Sequence, residues 1–87
     1  MRFVDSFVDA GARYSLGLEE VSSTAYLSIP VANSLTDYEE YYSLSGAEYA
    51  EFMVDGGAAR SFAEQCRRRE HDDRLLLRPG ADRGTPR

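Results

Sequence analysis

The sequence predicts a small α+β protein in which an antiparallel sheet of three or four strands carries a two-helix segment on one face. Residues 12–18 and 21–31 alternate apolar and polar side chains, which is the pattern of half-buried strands. Residues 45–72 instead show helical spacing, and Gly56-Gly57 breaks them into two helices. Because the strands precede the helices along the chain, an antiparallel sheet with helices on one face is the expected architecture.

The predicted helices have clear start signals. Ser45 and Glu48 have the spacing of a capping box, in which each side chain binds the other residue's backbone N–H, so the first helix should begin there. Asp55 can cap the second helix, which we expect from about Ala58 to His71. The second helix has a narrow apolar stripe of mostly small side chains: Ala58, Ala59, Phe62, Ala63 and Cys66. This stripe predicts close packing, with Phe62 central to the core.

The remaining strands are predicted from shorter patterns. Residues 21–31 should end near Pro30, which has no N–H to donate to a neighbouring strand. Residues 37–44 are the predicted third strand, although neither of its faces is wholly apolar. Arg74–Arg78 encloses three leucines between two arginines and is predicted to return to the sheet as a final strand.

The two ends of the chain are less regular. The apolar residues near the N-terminus recur at helical spacing: Phe3, Val4, Phe7 and Val8. This spacing favours a short helix over residues 2–10, and a strand is the alternative because Phe and Val favour strands. Residues 79–87 contain Pro, Gly and charged side chains without periodicity, which predicts a disordered tail. Residues 1–78 are then a single α+β domain.

Composition narrows the classes of protein that the chain can belong to. A chain of 87 residues with one cysteine forms one domain and no intramolecular disulfide. Asp5 and Asp9 interrupt the N-terminal apolar run, so it does not resemble a signal peptide. No apolar stretch is long enough to cross a bilayer. We therefore expect a cytoplasmic protein that does not bind membranes.

Charge is divided unequally along the chain. Residues 1–55 carry ten acids and two arginines, whereas residues 56–87 carry five acids and eight arginines. The net charge of −5 hides this division. The two parts can neutralise each other within one fold or between subunits, or the acidic part can recruit a basic partner.

The segment from residue 37 to residue 42 is the candidate partner-binding site. It combines acids with tyrosines: Asp37, Tyr38, Glu39, Glu40, Tyr41 and Tyr42. Tyrosine offers rigid contact area with a polar tip, and the carboxylates attract arginine or lysine. The structural alternative is an edge strand whose acids keep it soluble. The leading hypothesis is a non-enzymatic interaction module, such as a regulator, adaptor or immunity-type inhibitor. Its expected partner is another protein, and the carboxylates favour a basic one.

The alternative hypothesis is a small enzyme or metal-binding domain that uses Cys66, Glu70 and His71. Cys66 and Glu70 lie four residues apart on the predicted helix, and His71 follows them. No paired Cys or His motif and no nucleophile motif accompany them, so we expect no metal and no cofactor, and the sequence favours the absence of catalysis over its presence. The arginines at 67–69 lie among acids in an acidic chain, so nucleic acid is not an expected partner.

Self-association is also expected. The chain is short, so its own core is small. Leu75-Leu76-Leu77 is a continuous apolar run, and a strand of this kind needs cover on both faces. A symmetric homodimer that brings the acidic part of one copy against the arginines of another satisfies both requirements.

Overall fold

A computed structural model describes all 87 residues and shows a sheet covered on one face by helices. Four strands form an antiparallel meander: β1 (Phe3–Asp9), β2 (Tyr14–Glu19), β3 (Thr24–Ala32) and β4 (Asp37–Leu44). Two helices and a two-residue strand follow: α1 (Gly46–Val54), α2 (Gly56–Arg67) and β5 (Thr85–Pro86). The predicted α+β class, with a small antiparallel sheet and a two-helix segment, is confirmed.

The core lies between the sheet and the helices. Alternate residues of the strands face the helices, and the most buried include Leu16, Leu27, Ile29, Val31 and Tyr42. The helices contribute the predicted stripe: Ala59, Phe62, Ala63 and Cys66 from α2, with Phe52 from α1. The small side chains of α2 let its backbone approach the sheet closely, as the sequence pattern predicts.

The capping signals act as the sequence predicts. Glu48 N donates to Ser45 Oγ at 3.1 Å, and Ser45 N donates to Glu48 Oε1 at 2.8 Å, which completes the capping box of α1. Asp55 caps α2 because its Oδ1 accepts a hydrogen bond from Ala58 N at 3.1 Å. The same residue ends α1, since Asp55 N donates to Glu51 O at 2.8 Å. A single residue therefore joins two helices without a longer loop.

The predicted N-terminal helix over residues 2–10 is wrong, because this segment is strand β1. β1 pairs with β2, and its register shifts by one residue between Asp5 and Phe7. This bulge puts Ser6 and Phe7 on the same face, where Tyr49 Oη of α1 lies 2.7 Å from Ser6 Oγ. The extra residue breaks the two-residue alternation, and the apolar positions then recur at a spacing that imitates a helix.

The segment Arg74–Arg78 does not form the predicted strand. A single 3₁₀ turn, Asp72–Arg74, is followed by one bridge between Leu75 and Tyr42. Arg74 contacts both layers, since its guanidinium donates to Glu48 Oε1 at 2.8 Å and to Ser43 O of β4 at 3.2 Å. Backbone pairing of this segment with β4 is limited to the Leu75 bridge and the hydrogen bond from Leu76 N to Tyr41 O at 2.9 Å.

The last residues also differ from the sequence-based prediction of a disordered tail. Val31 and Ala32 at the end of β3 pair with Pro86 and Thr85 of β5. Arg83 holds the segment down by ion pairs that composition alone does not reveal. Low hydrophobicity predicts disorder only when the rest of the folded chain offers the segment no oppositely charged partner.

Glu19 closes the β2–β3 turn with a buried carboxylate. Its oxygens accept hydrogen bonds from Arg2 N at 2.7 Å, Val21 N at 3.0 Å and Ser22 N at 2.9 Å, and the Ser22 hydroxyl donates at 2.6 Å. The bond from Arg2 N, with those from Ser22 and Val21, lowers the pKa of Glu19 to about 2. One carboxylate therefore fastens the N-terminus to the turn.

This hydrogen bonding predicts an acid-sensitive fold. Because the folded pKa lies below the ordinary value of 4.5, the stabilisation is complete above pH 4.5 and disappears as the pH falls toward about 2. We expect Glu19→Gln to melt at a lower temperature than the parent at pH 7, with a smaller further loss on acidification, in circular-dichroism melts. Glu20→Gln, at the exposed neighbouring carboxylate, is the control. Equal acid sensitivity of the parent and Glu19→Gln would contradict this role.

Candidate protein-interaction surface

Strand β4 divides the acidic tyrosine segment between the two faces of the sheet. Tyr38, Glu40 and Tyr42 lie on the face that the helices cover, because each pairs with a core position of β3. Asp37, Glu39 and Tyr41 lie on the opposite face, which no helix covers and which we call the open face. The six residues predicted to bind a partner therefore do not form one continuous surface.

Glu40 and Tyr42 are bound within the fold. Glu40 is only 5% exposed, and its carboxylate accepts hydrogen bonds from Arg69 at 2.6 Å and from Arg83 at 2.7 Å. Tyr42 is fully buried and donates its hydroxyl proton to Glu40 at 3.0 Å. Burial raises the pKa of Glu40, but the Arg83 and Tyr42 hydrogen bonds and the two arginine charges outweigh it, so the pKa is lowered. Neither side chain can reach a partner unless the core opens.

Tyr38 and Asp37 contact the C-terminal segment. The Tyr38 hydroxyl oxygen accepts a hydrogen bond from Gly84 N at 2.7 Å. Asp37 forms an ion pair with Arg87 at 2.8 Å, and both side chains are more than half exposed. An exposed pair of this kind contributes at most about 1 kcal/mol, so Asp37 can exchange Arg87 for another cation.

Glu39 and Tyr41 belong to a cluster on the open face that also includes residues of β1 and β3. Phe3 stacks on Tyr41 with ring centroids 3.7 Å apart and an interplanar angle of 13°. Tyr26 meets both rings edge-on, at 5.4 Å from Phe3 and 5.0 Å from Tyr41. Phe3 and Tyr41 stay partly exposed, whereas Tyr26 is buried beneath them. The first and last strands of the meander thus meet through aromatic rings.

Gly17 makes room for this cluster. A Cβ at this position would lie 2.5 Å from the Tyr26 hydroxyl oxygen and 2.2 Å from the Val4 carbonyl oxygen. Without a side chain at Gly17, the Tyr26 ring crosses β2 and its hydroxyl donates to Asp5 Oδ1 at 2.6 Å. A glycine in the middle of an alternating strand was the sequence signal for this close approach, and our sequence-based prediction did not use it.

Two carboxylates flank the aromatic cluster without forming an ion pair. Asp5 is exposed and accepts only the Tyr26 hydroxyl, and Glu39 accepts the Ser28 hydroxyl at 3.0 Å. Burial is the main cause that raises the pKa of Glu39, and the Asp5 charge adds to it. Burial, followed by the Glu39 and Asp5 charges, also raises the pKa of Tyr41. The two carboxylates therefore lie close enough to Tyr41 and to each other to add to the effect of burial.

Most charges elsewhere on the protein are paired. Seven of the ten arginines form ion pairs with seven of the fifteen acids. The uncompensated charge therefore lies mainly on the remaining acids, and Asp5 and Glu39 are two of these on one face. A surface cavity of about 470 Å³ extends the open face beyond Glu39 and is lined by Arg13, Pro30, Asp37, Tyr38, Glu39 and Arg87.

The alternative metal or catalytic hypothesis relies on Cys66, Glu70 and His71. These three side chains lie in different environments. Cys66 is fully buried in the core, and burial raises the pKa of its thiol to about 12, which opposes the thiolate that a metal requires. Glu70 is paired with Arg68 at 2.6 Å. His71 stacks on Phe62 with centroids 4.4 Å apart, and its Nε2 lies 2.6 Å from Gln65 Oε1. No group of three or more His, Cys, Asp or Glu side chains has a metal-binding arrangement.

The arginines that follow Cys66 are used for internal contacts. Arg67 pairs with Glu64 and also donates to the backbone oxygens of Ala12 and Arg13 in the β1–β2 turn. Arg68 and Arg69 pair with Glu70 and Glu40. These contacts satisfy the guanidinium groups, so the arginine run is not a free basic patch.

Neither helix has the length and apolar character needed to cross a membrane. No family model matches this chain, and the comparisons with curated proteins and with solved structures also gave no match.

Proposed function

We propose that this protein is a small non-enzymatic interaction module that binds a basic segment of another protein on the open face of its sheet. The observation that carries the proposal is the combination of two carboxylates without an ion pair, Asp5 and Glu39, with the half-exposed stack of Phe3 on Tyr41. Seven other acids already bind arginines of this chain, so these two remain available to a cation from outside.

The chemistry of this surface favours arginine or lysine as the recognised group. A guanidinium can stack on the partly exposed ring of Tyr41 or Phe3 while its N–H groups donate to a neighbouring carboxylate. Tyr26 is held by its hydrogen bond to Asp5 and packs against Tyr41. The rings are therefore already ordered and lose little conformational entropy when a ligand binds. Complementary charge also accelerates association at low salt.

The surrounding residues offer a partner additional contacts. Asp37 can exchange its exposed pair with Arg87 for a second basic side chain of the ligand. The cavity beside Glu39 is wide enough for a side chain, and its lining includes the carboxylates of Asp37 and Glu39 as well as the guanidinium groups of Arg13 and Arg87. The exchangeable carboxylate of Asp37, beside Glu39, supports a ligand with more than one positive charge in an extended segment.

The test uses short synthetic peptides that alternate arginine with serine, together with matched glutamate–serine peptides. We expect the basic peptide to shift the amide resonances of Gly17, Ser28 and Ser43, which lie on the open face, and the acidic peptide to shift none. Asp5→Asn and Glu39→Gln should each weaken binding about threefold to tenfold at low salt and reduce its salt dependence.

Glu51→Gln is the matched control because Glu51 is an exposed acid of α1 that forms no ion pair and lies away from the open face. It should bind the basic peptide as the parent does. Equal weakening by Glu51→Gln would mean that only net charge attracts the peptide. Shifts confined to the helices would place the binding site elsewhere and overturn the proposal.

A further inference from the structure

We propose that two copies of this chain pair through their β1 strands, antiparallel, so that the two sheets join into one. The two edge strands of the sheet, β1 and β4, differ in whether other segments bind their outer backbone groups. β4 is covered in part, because Leu76 N donates to Tyr41 O at 2.9 Å and Leu75 bridges to Tyr42. β1 pairs with β2 on one side and has no strand or loop on the other. Its outward N–H and C=O groups are a template for another strand.

Apolar side chains accompany this uncovered edge. Val4, Phe7 and Val8 of β1 are 43%, 44% and 58% exposed. Leu18 of β2, which pairs with Val4, is 41% exposed on the helix-covered face. Exposed apolar side chains next to a free strand edge mark an interaction site rather than an ordinary surface.

The backbone pattern shows which groups point outward. Glu20 N donates to Arg2 O at 2.8 Å, so this pair is hydrogen-bonded toward β2. Hydrogen-bonded and non-hydrogen-bonded pairs alternate along an antiparallel ladder. Glu19 and Ser15 of β2 lie an odd number of residues from Glu20, so both belong to non-hydrogen-bonded pairs. Their partners in β1 are Phe3 and Val8. The N–H and C=O groups of Phe3 and Val8 are therefore free for a strand on the outer side.

One register of two β1 strands satisfies all of these constraints. In it, Phe3 faces Val8 of the second copy through the outward backbone groups, and Val4 faces Phe7 of the second copy on the helix-covered side. Arg2 then faces Asp9 of the second copy, which places opposite charges together at both ends. By two-fold symmetry every contact occurs twice. The side chains of these three facing pairs lie on the same face of the joined sheet, whereas the central pair, Asp5 and Ser6, spans the bulge.

The neighbouring registers do not fit. A shift of one residue sets Val4 against Val8, and the bulge has put these side chains on opposite faces. A shift of two residues sets Val4 against Asp9 and Val8 against Asp5, which pairs apolar with charged groups. In the fitting register the bulge lies at the two-fold axis, and Asp5 leans away from it toward Tyr26 of its own sheet. Charge and hydrophobicity therefore select the same alignment.

The first test exchanges charges at the ends of the strand. Sedimentation equilibrium of the full chain should show a dimer in the high micromolar range. Arg2→Asp and Asp9→Arg should each weaken the dimer about tenfold, because each change turns two attractive contacts into repulsive ones. An equimolar mixture of the two variants should recover the affinity as a one-to-one heterodimer. The parent's pair of Arg2 with Glu20 is exposed and easily exchanged.

Asp9→Arg can also loosen the β1–β2 turn, because Asp9 Oδ1 accepts a hydrogen bond from Ala12 N at 2.9 Å. Asp9→Asn keeps an oxygen acceptor there, so it should keep the melting temperature and still weaken the dimer. A monomer of the parent at several hundred micromolar, or a dimer that all three changes leave intact, overturns the proposal.

The second test reads the register directly. A Val4→Cys chain mixed with a Phe7→Cys chain should oxidise to a one-to-one cross-linked dimer, because facing non-bonded pairs have Cα atoms about 4.5 Å apart. A Val4→Cys chain mixed with a Val8→Cys chain is the control and should not form this product faster than random collision. Cys66 is buried and does not compete. Equal cross-linking of both mixtures rules out the proposed register.

Discussion

Replacing Phe62 with alanine is expected to lower the free energy of unfolding by about 3–5 kcal/mol. Phe62 is 7% exposed and contacts three aromatic or charged groups. The Phe52 ring lies at 5.4 Å and the His71 ring at 4.4 Å, while the Arg74 guanidinium lies at 5.2 Å from the Phe62 centroid. Alanine removes the ring from all of these contacts and leaves a cavity where α2, α1 and the following turn meet.

Urea denaturation followed by circular dichroism measures this loss, which is comparable to the whole stability of many small domains. Val54→Ala is the control, because Val54 is 87% exposed at the end of α1 and its loss should change the unfolding free energy by no more than about 0.5 kcal/mol. An unchanged unfolding midpoint for Phe62→Ala would mean that α2 does not pack on the sheet through this face.

The position of Phe62 could be predicted from the sequence because local signals dominate the helical pair. Ser45 and Asp55 each satisfy backbone N–H groups within three residues, so their capping does not depend on the rest of the fold. The alternation in β2 and β3 is likewise local, since one face of each strand packs in the core. Predictions of this kind succeed where the pattern and the contact that it implies are close in sequence.

The N-terminal strand and the C-terminal segment could not be predicted in the same way. The bulge between Asp5 and Phe7 moves the apolar side chains out of alternation, and only the pairing with β2 reveals it. Arg83 and Arg87 find their partners on β4, more than forty residues earlier in the chain. Ion pairs between residues far apart in the chain produce no periodic pattern in the sequence.

The candidate surface was predicted only in part for a related reason. A strand that alternates acids with tyrosines places half of them on each face, and the sequence does not say which face the helices cover. Glu39 and Tyr41 remain available, whereas Glu40 and Tyr42 are buried. Phe3, Asp5 and Tyr26 join the surface from other strands through the open space at Gly17.

Replacing Glu40 with alanine is expected to cost about 3 kcal/mol and to release the C-terminal segment. Removal of one partner from a buried ion pair costs about 3–5 kcal/mol, because it leaves the other charge unpaired. The lower end of this range applies, since the side chains of Arg69 and Arg83 are 28% and 20% exposed and can recover some contact with water. Arg83 keeps Asp72 as a partner at 2.7 Å.

Hydrogen exchange distinguishes this role from a general loss of stability. Arg87 N donates to Pro30 O at 3.0 Å, and Gly84 N donates to the Tyr38 hydroxyl oxygen at 2.7 Å. Both amides should lose protection in Glu40→Ala under conditions where the amides of β2 and β3 keep theirs. Glu40 has a lowered pKa, so its contribution is complete above the unfolded carboxyl pKa and is lost as the pH falls through the folded value. The same two amides should therefore lose protection in the parent as it is acidified.

Asp37→Asn is the matched control, because it breaks the exposed pair with Arg87 at the other end of the same segment. It should cost at most about 1 kcal/mol and leave the Gly84 amide protected. If Glu40→Ala left both amides protected, β5 would be held by its pairing with β3 alone. If both variants released the segment equally, the buried carboxylate would have no special role. The expected difference follows from burial, since one carboxylate bridges two arginines inside the fold and the other meets its arginine in water.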